Sequence, residues 1–209
     1  MRRNTQPERL RSVLRLIAAN QAGELVKARI ATQANIPPST ISGYFDLVEA
    51  LFLVETLPPW TPNLTKREVG RAKAFISDSA LALRLGRLSE SQLSSVVGGD
   101  QLGGLIEAFA VSELIKQSGW SDEEFELFHY RDRNGLEVDA IIEFAHGTIF
   151  GIEVKASKTF KSDHFAGLQA LAAKAGSRFI GGVVLNTADQ GCQYAPGLYG
   201  LPISALWEL

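Results

Sequence analysis

From Pro7 to Ala19 the apolar residues Leu10, Val13, Leu14 and Ile17 recur at three- and four-residue steps, with Arg9, Arg11 and Arg15 off that stripe. This is the period of an amphipathic helix, and Gly23 ends it. A second helix is expected over residues 26–34, with Ile30 as its inward anchor. In the following Asn35-Ile36-Pro37-Pro38-Ser39 the prolines block continuation, and Ser39 is a natural N-cap for a third helix over 40–51. Two helices joined by a short turn, the second exposed, make a helix-turn-helix. Residues 52–57 then read as a strand stopped by Pro58-Pro59, and 73–77 as its antiparallel return. The stretch 60–72 between them would be a wing, presenting Lys66, Arg67 and Arg71 to phosphates.

After an amphipathic helix over 78–88 and a Ser- and Gly-rich connection over 89–99, Gly103-Gly104 precede a helix over 105–118. No Lys-Ser or Lys-Thr follows these glycines in register, so they are not a phosphate loop. The period then changes to two. Residues 125–131, 136–143 and 148–155 read as three antiparallel strands, the first two joined at Asn134-Gly135, a strong hairpin signal. A helix over 164–175 and an apolar strand over 179–185 complete the order αβββαβ. The fold class expected is therefore α/β (α+β): a winged helix-turn-helix over 1–77, a linker with a helix over 78–102, and an α/β sandwich over 103–209.

Composition is ordinary for a globular chain: 209 residues, 45% hydrophobic and 21% charged. One cysteine, Cys192, excludes an internal disulfide and makes a reducing cytoplasm the expected location. No apolar run approaches the ~20 residues of a membrane span. The net charge of −2 hides an asymmetry: residues 1–75 balance at +5 and residues 76–209 at −7. A basic module suits a polyanion such as DNA, and an acidic one can hold cations. The third helix, however, carries Asp46 and Glu49 and no Lys or Arg, which makes it a poor base reader. The N-terminal module therefore either contacts DNA or packs between domains.

Strand alternation brings chemistry to one place. Glu153 and Lys155 share a face of the third strand, and Glu137, Asp139 and Ile141 share a face of the second, opposite Leu136 and Val138. If the strands pair, Asp139 lies beside Glu153 and Lys155. Two carboxylates and a lysine among apolar neighbours are costly unless compensated. Mg²⁺ (or Mn²⁺), which takes one or two carboxylates plus substrate phosphate, would compensate them. Lys155 would then assist a metal-bound water or offset phosphate charge. Lys158 and Lys161, after this strand, either contact backbone phosphates or line a solvated loop. The three histidines lack metal-ligand spacing, and Cys192 has no clear histidine partner.

The run EVD, a hairpin and IEVKAS resembles the PD-(D/E)XK restriction-endonuclease-like superfamily. Asp139 matches its first Asp, Glu153 its second acid and Lys155 its lysine, while Val138 replaces the usual proline. Glu107 matches an acid that many members supply from the preceding helix, and Gln169 matches a glutamine that some carry later. The resemblance implies a metal-dependent nuclease acting on a phosphodiester. In it Asp139, Glu153 and the Val154 carbonyl hold the cation, and Glu107 positions a second cation or water. A wider resemblance, through STISGYFDLVEALFLVETLPPW, KREVGRAKAFISDSALALRL, GGLIEAFAVSEL, YRDRNGLEVDAIIE and LPISALW, is to the C-terminal region of a prokaryotic AAA-type ATPase family. That family joins an ATPase core, absent from this chain, to a winged helix and an endonuclease-like domain. It implies an AAA-type ATPase partner in cis or in trans. The alternative it leaves is a catalytically silent module that binds DNA or a partner protein and regulates such an ATPase.

Overall fold

A computed structural model describes residues 6–63, 67, 70–88, 100–132 and 135–208. The chain divides into two compact units, Met1–Thr56 with Arg71–Phe109, and Leu57–Gly70 with Ala110–Leu209. No helix among the described residues is long and apolar enough to cross a membrane.

The first unit contains α1 (Pro7–Ala18), α2 (Lys27–Gln33), α3 (Pro38–Ala50) and α4 (Ser79–Gly86). A small sheet of β1 (Gly23–Glu24), β2 (Val54–Leu57) and β3 (Lys73–Ile76) has the order β1-β3-β2. The α1 stripe places Val13 and Ile17 in a core with Ile30, Ile41, Phe45 and Val48, and Leu10 and Leu14 pack against it. Ser39 is not the cap of α3. Pro38 already stands in the first turn, where its fixed φ suits the helix and its missing N–H costs nothing. Nor does Phe52 start a strand: at φ 55° it turns the chain, and the residue is 81% exposed. Asp78 caps α4, its Oδ1 accepting from the Leu81 N–H at 2.6 Å. The long helix α5 (Asp100–Ser118) begins before the two glycines instead of after them. A Cβ at Gly104 would lie 2.7 Å from the Gln21 carbonyl oxygen, so this glycine serves close packing. The expected connection over 89–99 lies outside the described residues. The division between the units falls within α5.

The second unit holds a six-stranded sheet of β4 (Phe125–Arg131), β5 (Glu137–Phe144), β6 (Ile149–Lys155), β7 (Phe179–Asn186), β8 (Cys192–Ala195) and β9 (Leu198–Pro202). Its order is β4-β5-β6-β7-β9-β8. The meander β4–β5–β6 is antiparallel, and β7 and β9 join it in parallel. A 3₁₀ turn (Ser162–Phe165) leads into α6 (Ala166–Ala175), and Phe165, Leu168 and Leu171 are completely buried with Val138, Ile141, Ile149 and Val184. The β8–β9 hairpin adds two strands to the expected order; its Gly-rich sequence reads as a loop.

The expected wing is corrected. Leu57–Gly70 belongs to the second unit, and Trp60, 3% exposed, joins its core beside Phe128 and Tyr130. The Trp60 N–H donates to the His129 carbonyl at 2.6 Å, and the His129 N–H to the Pro58 carbonyl at 2.9 Å. A tryptophan offers ~150–250 Å² for burial, enough to hold its segment against a core. The expected boundaries after residues 77 and 102 give way accordingly to the division above.

Candidate active site

The site is built on an irregularity in β5. Phe128 pairs with Ile141 but Tyr130 pairs with Val138, so two residues of β5, Asp139 and Ala140, oppose the single His129 of β4. This β-bulge resets the alternation. Val138 and Ile141 both reach the same core cluster, where strict period-two reading puts them on opposite faces. Asp139 sits in the bulge, only 4% exposed.

Beyond the bulge β5 and β6 part. Their paired ladder runs from Glu143 opposite Ile149 to Ala140 opposite Ile152. The next contact uses a side chain: Asp139 Oδ2 accepts from the Val154 N–H at 2.9 Å. In an extended strand the carbonyl of a residue points the same way as its N–H, so the Val154 carbonyl turns toward this opening as well. On β6, Glu153 and Lys155 share one face, and Lys155 Nζ donates to Glu153 Oε1 at 2.5 Å. Glu153 is 5% exposed, and the Lys155 side chain is 37% exposed. The structure thus brings Asp139, Glu153 and Lys155 to one end of two strands. The oxygens gathered there are two buried carboxylates and one carbonyl, hard donors of the kind that suit Mg²⁺ or Mn²⁺. Among the described residues no group of three or more His, Cys, Asp or Glu is placed to hold a metal, so water or substrate would have to fill the rest of a coordination shell.

The other expected residues have other partners or are exposed. Glu107 lies in the first unit, where its Oε1 accepts from the buried Lys73 Nζ at 2.5 Å. Arg67 is not displayed to solvent. Its guanidinium lies 4.7 Å from the Phe128 ring centroid and 5.7 Å from that of Trp60, and it is paired with Glu143. Arg71 is exposed and reaches Glu24 at 3.2 Å. Lys158, Lys161 and Gln169 are exposed, and Lys66 lies outside the described residues.

Residues 102–206, half of the chain, match a family described as a domain of unknown function, DUF4143. The chain belongs to the DUF4143 family. Residues 1–92 match a second domain of unknown function, DUF8612. The chain is also similar to two uncharacterized proteins, one of Mycobacterium bovis and one of Mycobacterium tuberculosis, each 26% identical over 142 residues. That match covers 68% of this chain and 31% of each relative, so the chain spans about a third of the length of the curated relatives it matches. Among solved structures it is similar to a chain of a Thermococcus gammatolerans assembly of McrB AAA+ hexamers with bound McrC. There the TM-score is 0.36 and the identity 9%, over 92% of this chain and 70% of that one, too low to assign a fold.

In this DUF4143 chain two further polar side chains bear on Lys155, one paired with it across the sheet and one sensing its charge, and neither stands out in the sequence as a site residue. His164, in the 3₁₀ turn before α6, has its side chain 12% exposed. Burial lowers its pKa from the ordinary 6.5; Asp163 opposes the shift, and the charges of Lys155 and Lys161 add to it. Asn186, fully buried, pairs with Lys155 across the β6–β7 ladder. The signal for Asn186 was present: it is the one amide closing the apolar run FIGGVVL. His164 has no such signal, because its neighbours come from β6.

Proposed function

We propose that the second unit is a metal-dependent nuclease site of the PD-(D/E)XK type, acting on the phosphodiester of a nucleic acid, DNA in the first instance. The observation that carries this reading is the Asp139 carboxylate on the Val154 N–H, which places two buried carboxylates and a lysine at one strand end. Asp139, Glu153 and the Val154 carbonyl would hold Mg²⁺ or Mn²⁺. When bound, such an ion supplies Lewis acidity and lowers the pKa of a coordinated water.

The remaining work falls to the chain's own groups. Lys155, released in part from Glu153 as substrate arrives, donates to the attacking water or to a phosphate oxygen and keeps it in line. The bulge holds Asp139 rigidly, since its Oδ2 replaces a backbone acceptor of the ladder. Lys158 and Lys161, exposed just past β6, contact flanking phosphates and make binding fall with salt. Glu107, tied to Lys73, is not needed for this set.

The test is incubation of the chain with labelled single- and double-stranded DNA in Mg²⁺ or Mn²⁺, beside Lys155→Ala. The reading expects metal-dependent cleavage that falls by at least about a hundredfold in the variant. Cleavage that survives Lys155→Ala contradicts the mechanism.

One observation favours a second reading. Each acid of the site already has a protein partner, Glu153 in Lys155 and Asp139 in the Val154 N–H. A catalytically silent module that binds nucleic acid or a partner protein, and regulates an AAA-type ATPase in cis or in trans, would keep such pairs permanently. Absence of cleavage on every substrate, with binding retained, would support it.

A further inference from the structure

Strands β6, β7 and β9 run parallel, with Lys155 paired to Asn186 and Asn186 to Pro202 at their carboxyl ends. The carboxyl ends of parallel strands are where α/β sheets take ligands. Asn186 shares a face with Lys155, because residues paired across a parallel ladder project to the same side. Its Oδ1 accepts from the Ala188 N–H at 2.9 Å, which settles which amide atom is oxygen. The Nδ2, with two protons to donate, is buried and has no protein partner among the described residues. His164 Nδ1 is likewise buried without one. Buried polar atoms are otherwise nearly always satisfied, so the Asn186 amide opposite Lys155 and the His164 ring in the turn that packs on β6 ask for a ligand.

The surroundings hold both groups in place. Thr187 donates from its N–H and its Oγ1 to the Ser157 carbonyl, each at 3.0 Å, joining the turns that follow β6 and β7. Phe165, next to His164, stacks on Tyr194 with ring centroids 4.0 Å apart and planes 4° apart. Gly167 lets the start of α6 press on β5: a Cβ there would lie 1.8 Å from the Glu137 carbonyl oxygen.

We propose that Asn186 and His164, with Lys155, form a cradle for the oxygens of a phosphoryl group, the Asn186 amide and the His164 ring donating to non-bridging oxygens. Asn186 and His164 add donors to a lysine whose charge is shared with Glu153, and donors of this kind suit the acceptor oxygens of a phosphoryl group lying beside the carboxylates. In this cradle the unpartnered Nδ1 is the ring atom turned to the ligand. The proposal rests on the nuclease reading for the identity of the substrate, a phosphodiester of nucleic acid; the cradle itself recognises phosphoryl oxygens from any source.

The test uses the full chain in Ca²⁺, with two probes: a short single-stranded oligonucleotide and inorganic phosphate. The side-chain signals of Asn186 and His164 are followed by ¹⁵N NMR, and oligonucleotide affinity by fluorescence anisotropy. Both signals are expected to shift with the oligonucleotide. Affinity is expected to fall about tenfold in Asn186→Asp and His164→Phe and to stay within about threefold of the parent in His164→Gln, which keeps a donor. The wild-type signals decide the matter if a variant fails to fold. Shifts with inorganic phosphate alone support the cradle and assign it to a small anion. Signals that stay put while the oligonucleotide binds overturn it, as does failure to bind either probe. A chain that cleaves DNA with both signals unmoved keeps the nuclease reading and loses the cradle; one that never cleaves but shows the shifts does the reverse.

Discussion

Asp139 stands where a backbone ladder gives way to a side chain, and this one substitution of partner gathers the site. Its neighbours depend on equally local facts. Gly167 has no room for a methyl, since a Cβ would sit 1.8 Å from backbone that cannot move alone. Gly167→Ala is therefore expected to cost about 3 kcal/mol or more, read from urea unfolding. His164 carries a pH dependence. Its pKa in the fold lies below the 6.5 of an unperturbed ring, chiefly through burial, with Asp163 opposing and Lys155 and Lys161 adding. Between the folded value and 6.5 the unfolded chain binds more protons, so stability rises with pH there and is lost on acidification. From about pH 7 to pH 5, wild type should lose more stability than His164→Gln, in the same urea measurement. Equal losses would contradict the assignment. At this scale the sequence was legible in part. The spacing of Asp139, Glu153 and Lys155 pointed to one place, but the reason Asp139 reaches Val154 is a bulge, which depends on how β4 pairs and leaves no mark in the period of β5 itself.

At the scale of elements, periodicity located α1, α2, α6 and strands β4 to β7 within a few residues. These segments have one apolar face or an apolar run, and local pattern suffices for them. The β8–β9 hairpin escaped, and other readings went astray in detail. Pro38 reads as a breaker although it suits a first turn, and the glycines at 103 and 104 read as linker although they lie inside α5. The segment 57–70 reads as a wing because its basic residues are visible in the sequence and its destination is not. Its Arg67 is held by Glu143 and stacked on two rings, and Arg178 also stands 5.2 Å from the Trp60 ring centroid. Arg67→Ala leaves the Glu143 carboxylate, 12% exposed, with the 3.9 Å contact to Arg178 as its remaining ion pair among the described residues. The expected cost is about 3 kcal/mol, measured as a lowered urea midpoint with unchanged slope. A cost within ±0.5 kcal/mol, as for an ordinary surface arginine, would restore the wing.

For the whole molecule, the charge pattern changes with the division. Cut after residue 75, the chain balances at +5 and −7; divided into the two units of the structure, it balances at +2 and −4. The contrast that suggested a basic nucleic-acid module is thus weaker, and the acidic character of the second unit remains. That unit carries the central claim, that Asp139 and Glu153 together hold a divalent cation. Calorimetric titration of the full chain with Mn²⁺ tests it most directly, because it needs no guess about substrate. One ion per chain is expected, with affinity lowered at least about tenfold in Asp139→Asn and in Glu153→Gln and unchanged in Glu107→Gln. Mn²⁺ binding that ignores the first two substitutions, or no binding at millimolar Mn²⁺, would contradict the account.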